Sequence, residues 1–115
     1  MKLLIAIIQP AKVNAIRDML VDVEVERMSV FDAQGYARQR GQLELFRDDI
    51  KNIRLRQKVV LEIAVNDDFV DRTVEAITRG ARSGPEGKIG DGKIFVLPVA
   101  DAIQIGPSAR GPEAI

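Results

Sequence analysis

The first apolar run, Leu3 to Ile8, has no polar interruption before Gln9-Pro10. It reads as a strand apolar on both faces: Leu4, Ala6 and Ile8 fall on one side, and Leu3, Ile5 and Ile7 on the other. After Pro10 the spacing changes. Val13, Ile16, Leu20 and Val23 recur at helical intervals, and a proline suits a first helical turn. Residues 24–35 return to a period of two, with Val25, Arg27, Ser29 and Phe31 alternating with Glu26, Met28, Val30 and Asp32, which predicts a second strand. KVVLEIAV (58–65) predicts a third. Residues 66–81 predict a helix: Asp67 is placed to cap it, Val70, Val74, Ile77 and Ala81 share one face, and Arg79 and Arg82 lie near its end. KIFVLPV (93–99) predicts a fourth strand, and AIQI (102–105) a short extra one.

The order β-α-β-β-α-β is the split unit of ferredoxin-like α+β sandwiches. Two helices cover only one face of such a sheet. The other, equally apolar face must be buried by something else, most simply by copies of the same chain, so a homo-oligomer is expected. The tail GPSARGPEAI (106–115) is too polar and too rich in glycine and proline to cover it. A length of 115 residues fits one domain, 1–115. Lys plus Arg and Asp plus Glu are 17 each, a zero balance that argues against a general nucleic-acid binder. With no cysteine and no histidine there is no disulfide framework, no thiol chemistry, and no basis for a His-centred acid–base mechanism or a zinc site. The N-terminal apolar run is short for a signal peptide and lacks a small-residue cleavage site. No run reaches transmembrane length, and a soluble cytoplasmic protein is expected.

Two stretches carry candidate chemistry. The first is the connection 36–57, YARQRGQLELFRDDIKNIRLRQ. Loops longer than roughly 12–15 residues are usually functional or disordered. Leu43, Phe46, Ile50 and Ile53 have the spacing of a third amphipathic helix. Equally, the mix of apolar and charged residues, Arg38, Arg40, Arg47 and Lys51 among them, suits an arm that docks a partner. The second stretch is 82–92, RSGPEGKIGDG. Gly87 to Lys93 fits the front of a phosphate-cradling P-loop, but Ile94 stands where a Ser or Thr would hold magnesium, and a strand follows instead of a helix. Glycines can also form an anion-binding nest, with Lys88 and Lys93 supplying charge. By the motif alone, a turn with solvated lysines is the simpler account.

The whole chain, however, resembles the PII nitrogen-regulatory signal-transduction family. The resemblance rests on IIQPAKVNAIRDML, on GYARQRGQLELFR, on KVVLEIAV, on DDFVD and on GKIGDGKIFVLPV. The pairing of Gly35–Leu45 with Gly90–Val96 is its most specific part. It implies a ferredoxin-like homotrimer, a regulator rather than an enzyme, that senses ATP or ADP in clefts between subunits and 2-oxoglutarate together with Mg-ATP. The 36–57 connection would be the family's partner-binding T-loop. By family position Gly35, Gly90, Asp91, Gly92 and Lys93 would approach the nucleotide, and Ser29, Glu62 and Ala64 would line the same cleft. Arg38 would reach phosphate across the subunit boundary. Gln39 would hold Mg2+ through its carbonyl oxygen and take part with Lys58 in 2-oxoglutarate binding. Leu45, Phe46 and Arg47 would form the docking tip. The implied target is an ammonium transporter or a nitrogen-assimilation enzyme, with the membrane reached only through a transporter.

The departures are equally specific. Lys51 and Phe46 stand where the family carries loop tyrosines, so the usual modification is not expected. The glycine loop is longer by about three residues. Gln104 and Gly106 stand where the family's last strand offers two arginines to the phosphates, and Arg110 substitutes only if the tail folds back. The alternative expectation is therefore a PII-like paralogue that responds to ADP, AMP or another effector and serves a different transporter or enzyme. A small ferredoxin-like hydrolase would have to rely on Arg, Asp or a metal, and no such constellation stands out.

Overall fold

The computed structural model describes residues 1–36 and 55–115. Strand β1 (Lys2–Ile8) leads through a 3-10 turn (Pro10–Lys12) into α1 (Val13–Asp22). Then come β2 (Ser29–Gly35), β3 (Arg56–Val65), a second 3-10 turn (Asp67–Phe69), α2 (Val70–Ala81) and β4 (Gly92–Pro98). A last 3-10 turn spans Gly111–Ala114. The four strands form one antiparallel sheet in the order β2-β3-β1-β4, with β1 and β3 central. This is the ferredoxin-like α+β arrangement that the chain pattern predicts.

Both helices lie on one face. Leu4, Ala6 and Ile8 of β1 and Val59, Leu61, Ile63 and Val65 of β3 are buried there with Ile16 and Leu20 of α1 and Ala76, Ile77 and Ala81 of α2. The helices approach each other closely at Gly80, where a Cβ would stand 2.8 Å from Ile16 Cγ1. Thr73, fully buried, donates its hydroxyl to the Phe69 carbonyl at 2.6 Å, which satisfies a polar group that burial would otherwise penalise.

Several boundaries differ from the pattern. The second strand begins at Ser29, not at 24. The N–H groups of Val23 and Val25 bond back to the Leu20 carbonyl, and Glu24 takes a left-handed φ of 66°. Val25 is apolar because it plugs the core behind this turn, not because it alternates in a strand. The third strand starts at Arg56, so the long connection is 36–55 rather than 36–57. The fourth starts at Gly92, so the glycine loop is 82–91. Asp67 does not cap α2. Its carboxylate accepts from the Met1 ammonium at 2.8 Å and from Lys2 Nζ at 3.1 Å, and these cations hold its pKa below 3.8. The extra strand at 102–105 reduces to a single bridge between Ile103 and Arg110. The helical pattern Leu43, Phe46, Ile50 and Ile53 lies outside the described residues. Among the described residues no helix is long and apolar enough to cross a membrane.

Candidate functional site

Paired residues of an antiparallel sheet share a face, so the register assigns the face away from the helices. One row across it reads Ser29, Glu62, Ile5 and Phe95; the next reads Phe31, Val60, Ile7 and Lys93. Ala33 with Lys58 extends it at one end, and Ala64, Leu3 and Leu97 at the other. Five of the residues singled out in the sequence, Ser29, Lys58, Glu62, Ala64 and Lys93, thus stand on this one open face. Gly35 ends β2 beside them, with its Cβ position 3.7 Å from Lys58 Cγ. Among the described residues, Lys58, Glu62 and Lys93 form no ion pair with one another.

The glycine loop closes one end of this face. At Gly92, φ is +132°, and a Cβ would overlap the Ile7 carbonyl oxygen, so only glycine lets β4 start against β1 here. Gly90 (φ +100°) has nothing within 4 Å of its Cβ position, which leaves its backbone open to an approaching group. The loop is tied down from two sides. Gln9 Nε2 donates to the Gly90 carbonyl at 3.1 Å. Asp91 Oδ2 accepts the N–H of Ser83 at 2.9 Å and of Lys88 at 2.8 Å. The Ser83 N–H, then its hydroxyl and the Lys88 N–H, pull the Asp91 carboxyl down to about 2. The sequence offers no linear signal for these tethers. Gln9, Ser83 and Lys88 become relevant only once β1 and β4 are neighbours.

A recess of about 220 Å3 lies beneath this loop on the helix side, lined by Ile8, Ile77, Thr78, Ala81, Arg82 and Asp91 to Ile94. Of the residues singled out, only Asp91, Gly92 and Lys93 border it. It is not the place where Ser29, Glu62, Ala64 and Lys58 meet, and the face that does gather them has no wall opposite among the described residues. An open backbone at Gly90 beside Lys93 fits an anion such as phosphate, and Ser29 with Glu62 adds hydrogen-bonding groups at the far end of the same surface. Arg38, Gln39, Leu45, Phe46 and Arg47 lie outside the described residues.

The tail folds back on residues 101–104 rather than on the glycine loop. Gln104 N–H donates to the Ala109 carbonyl, and Gly111 N–H to that of Ala102. Arg110 does not present a free guanidinium there: its Nη2 and Nε bond Asp101 Oδ2 at 2.6 and 3.1 Å.

Comparison with known proteins supplies the family. The model of a family described as nitrogen regulatory protein P-II matches residues 1–109. Nitrogen regulatory protein GlnK1 of Methanosarcina mazei is 44% identical over 115 residues, covering 100% of this chain and 97% of its own. Nitrogen regulatory protein P-II 1 of Escherichia coli is 42% identical, and nitrogen regulatory protein P-II of Bradyrhizobium diazoefficiens 39%, each over the full length of both chains.

Proposed function

The chain belongs to the nitrogen regulatory protein P-II family, a family of signal-transduction regulators rather than enzymes, and from this premise we propose that it is a cytoplasmic homotrimer sensing ATP and ADP in clefts between subunits. One observation carries the reading. Ser29, Lys58, Glu62, Ala64 and Lys93 are gathered on a sheet face that the described residues leave open, with the glycine loop at its edge. A second subunit supplies the missing wall, and a nucleotide fills the seam, with phosphates at Gly90, Gly92 and Lys93. Mg2+ with ATP, held by Gln39, and 2-oxoglutarate, held by Lys58 and Gln39, form the second input. The single domain 1–115 passes the signal through its long connection to a target protein, such as an ammonium transporter or a nitrogen-assimilation enzyme, with Leu45, Phe46 and Arg47 at the contact.

A second reading is favoured by the tail. Gln104 and Gly106 are uncharged, and Arg110 is engaged by Asp101. A charge-assisted hydrogen bond is worth about 1.5–3 kcal/mol. A phosphate chain that lacks such partners from the tail loses more as it lengthens, which favours ADP or AMP as effector. Calorimetric titration with ATP, ADP and AMP, with and without Mg2+ and 2-oxoglutarate, separates the two. Tight ATP binding, ATP-dependent 2-oxoglutarate binding and loss of both in Lys93→Ala support the first reading. ADP or AMP binding without ATP binding supports the second, and binding of none refutes nucleotide sensing.

A further inference from the structure

Asp91 poses a problem of sign. It is a carboxylate, ionised at neutral pH, in a loop placed to receive an anion, and by Coulomb's law alone it repels phosphate. Yet its charge is turned inward. Oδ2 takes the N–H of Ser83 from the start of the loop and that of Lys88 from its middle, while Oδ1 is shielded from solvent with no protein partner. The Asp91 N–H returns to the Lys88 carbonyl at 3.1 Å. The side chain of Asp91 therefore ties Ser83 to Lys88, its backbone N–H adds a second tie to Lys88, and the lone pairs of Oδ2 are directed at the loop's own N–H groups. On the other side of the same turn stands Gly90, whose open backbone is anchored through its carbonyl to Gln9.

We propose that Asp91 is a positioning residue, not a nucleotide ligand. It acts as a built-in anion that occupies the inner N–H groups of the loop and holds the loop in its receiving shape before any ligand arrives. The outer edge, Gly90 to Lys93, is thereby presented towards the open sheet face. Fixing the loop in advance removes an ordering cost from binding. Replacing this carboxylate weakens anion binding although it removes a negative charge from the site. The inference rests on the nucleotide reading above, and it predicts the opposite sign from simple charge repulsion.

The test uses the full chain and the variants Asp91→Ala and Asp91→Asn, with ATP and ADP as probes, each with and without Mg2+. Amide hydrogen exchange at Ser83 and Lys88 is followed in the ligand-free proteins. The expected result is a tenfold or greater loss of affinity in Asp91→Ala, equal with and without Mg2+. Partial recovery is expected in Asp91→Asn, which keeps an acceptor for the two N–H groups. Protection at Ser83 and Lys88 disappears in Asp91→Ala while the unfolding midpoint stays near that of wild type. Unchanged or tighter binding in Asp91→Ala overturns the proposal, as does a loss confined to Mg2+, which would make Asp91 a metal ligand. If wild type binds neither nucleotide, the nucleotide reading fails. The exchange data then judge the clamp alone: unchanged protection in Asp91→Ala removes it.

Discussion

Leu4, Ala6 and Ile8 are at most 1% exposed, whereas Leu3, Ile5 and Ile7, interleaved with them on the same strand, are only partly covered. On the neighbouring strands the open face leaves Phe31 at 47%, Phe95 at 49% and Leu97 at 40% exposed. The two faces use the same kinds of side chain; what separates them is that both helices pack on one. Hydrophobicity states that a face needs burying, but topology decides whether the chain can do it unaided. The open face also differs in carrying Ser29, Lys58, Glu62 and Lys93 among its apolar rows. Polar groups of that kind are costly inside a core and useful at a seam where a ligand meets two subunits.

Adjacent residues of β3 give the sharpest contrast. Leu61→Ala removes a fully buried side chain from the covered face and leaves a cavity, so it lowers unfolding free energy by about 2–5 kcal/mol at every protein concentration. Val60→Ala, one residue away on the open face, costs an isolated subunit much less, and under the proposed assembly its cost grows with concentration. Denaturant melts of both variants over a range of concentrations check this. Equal, concentration-independent losses would erase the distinction between the faces.

Gly80→Ala ranks next. A Cβ there meets Ile16 Cγ1 at 2.8 Å and Ile16 Cα at 2.9 Å, and the second of these is backbone, which cannot simply rotate away. Overpacking of this kind costs about 1–3 kcal/mol. The loss should appear in the unfolding midpoint without altering association, because the contact lies between the helices and far from the open face.

Phe95→Glu reverses that pattern. Phe95 is half exposed in the single chain, so the subunit's own folding shifts by only about 0.5 kcal/mol. A charge placed in the row Ser29, Glu62, Ile5 and Phe95 disrupts any apolar seam formed over it. Sedimentation or light scattering should show a folded monomer in place of the proposed homotrimer. A Phe95→Glu protein that remains trimeric would show that assembly uses another surface.

These contrasts also mark what was legible in the chain. The two-faced apolar pattern of 3–8 and the helical spacing of 70–81 sufficed for the sheet, its helices and its uncovered side, because periodicity reports burial directly. The limits of β2 were not legible: Val25 is apolar for a core contact made possible by the left-handed Glu24, and alternation cannot distinguish a plug from a strand. Asp67 has the right residue type and place for a cap, yet two cations brought near by β1 claim its carboxylate. Ser29, Glu62 and Lys58 could be chosen from sequence only through family resemblance, and Lys93 only from its glycine motif or that resemblance, since their common face exists only in the register of four strands. The inward turn of Asp91 and the pairing of Arg110 with Asp101 depend on loop paths that no local pattern encodes.

The smallest expected effect concerns the loop that bounds the open face. The Asp91 carboxyl, ordinarily near 3.8, is lowered to about 2 by the N–H and hydroxyl of Ser83 and by the Lys88 N–H. A group whose folded pKa is depressed contributes stability that is complete above its unfolded value and lost as pH falls through its folded one. Asp91 should therefore steady the protein above pH 3.8 and lose that contribution between 3.8 and about 2. The measurement is the difference in unfolding midpoint between wild type and Asp91→Asn as a function of pH. It should be constant at neutral pH and shrink across that acid window, and it should be small, because the loop lies at the solvent edge. The covered face has no buried carboxylate among its core residues, so Leu61→Ala should show no such pH-dependent difference from wild type, and a matching slope in both variants would mean that the titrating group is not Asp91.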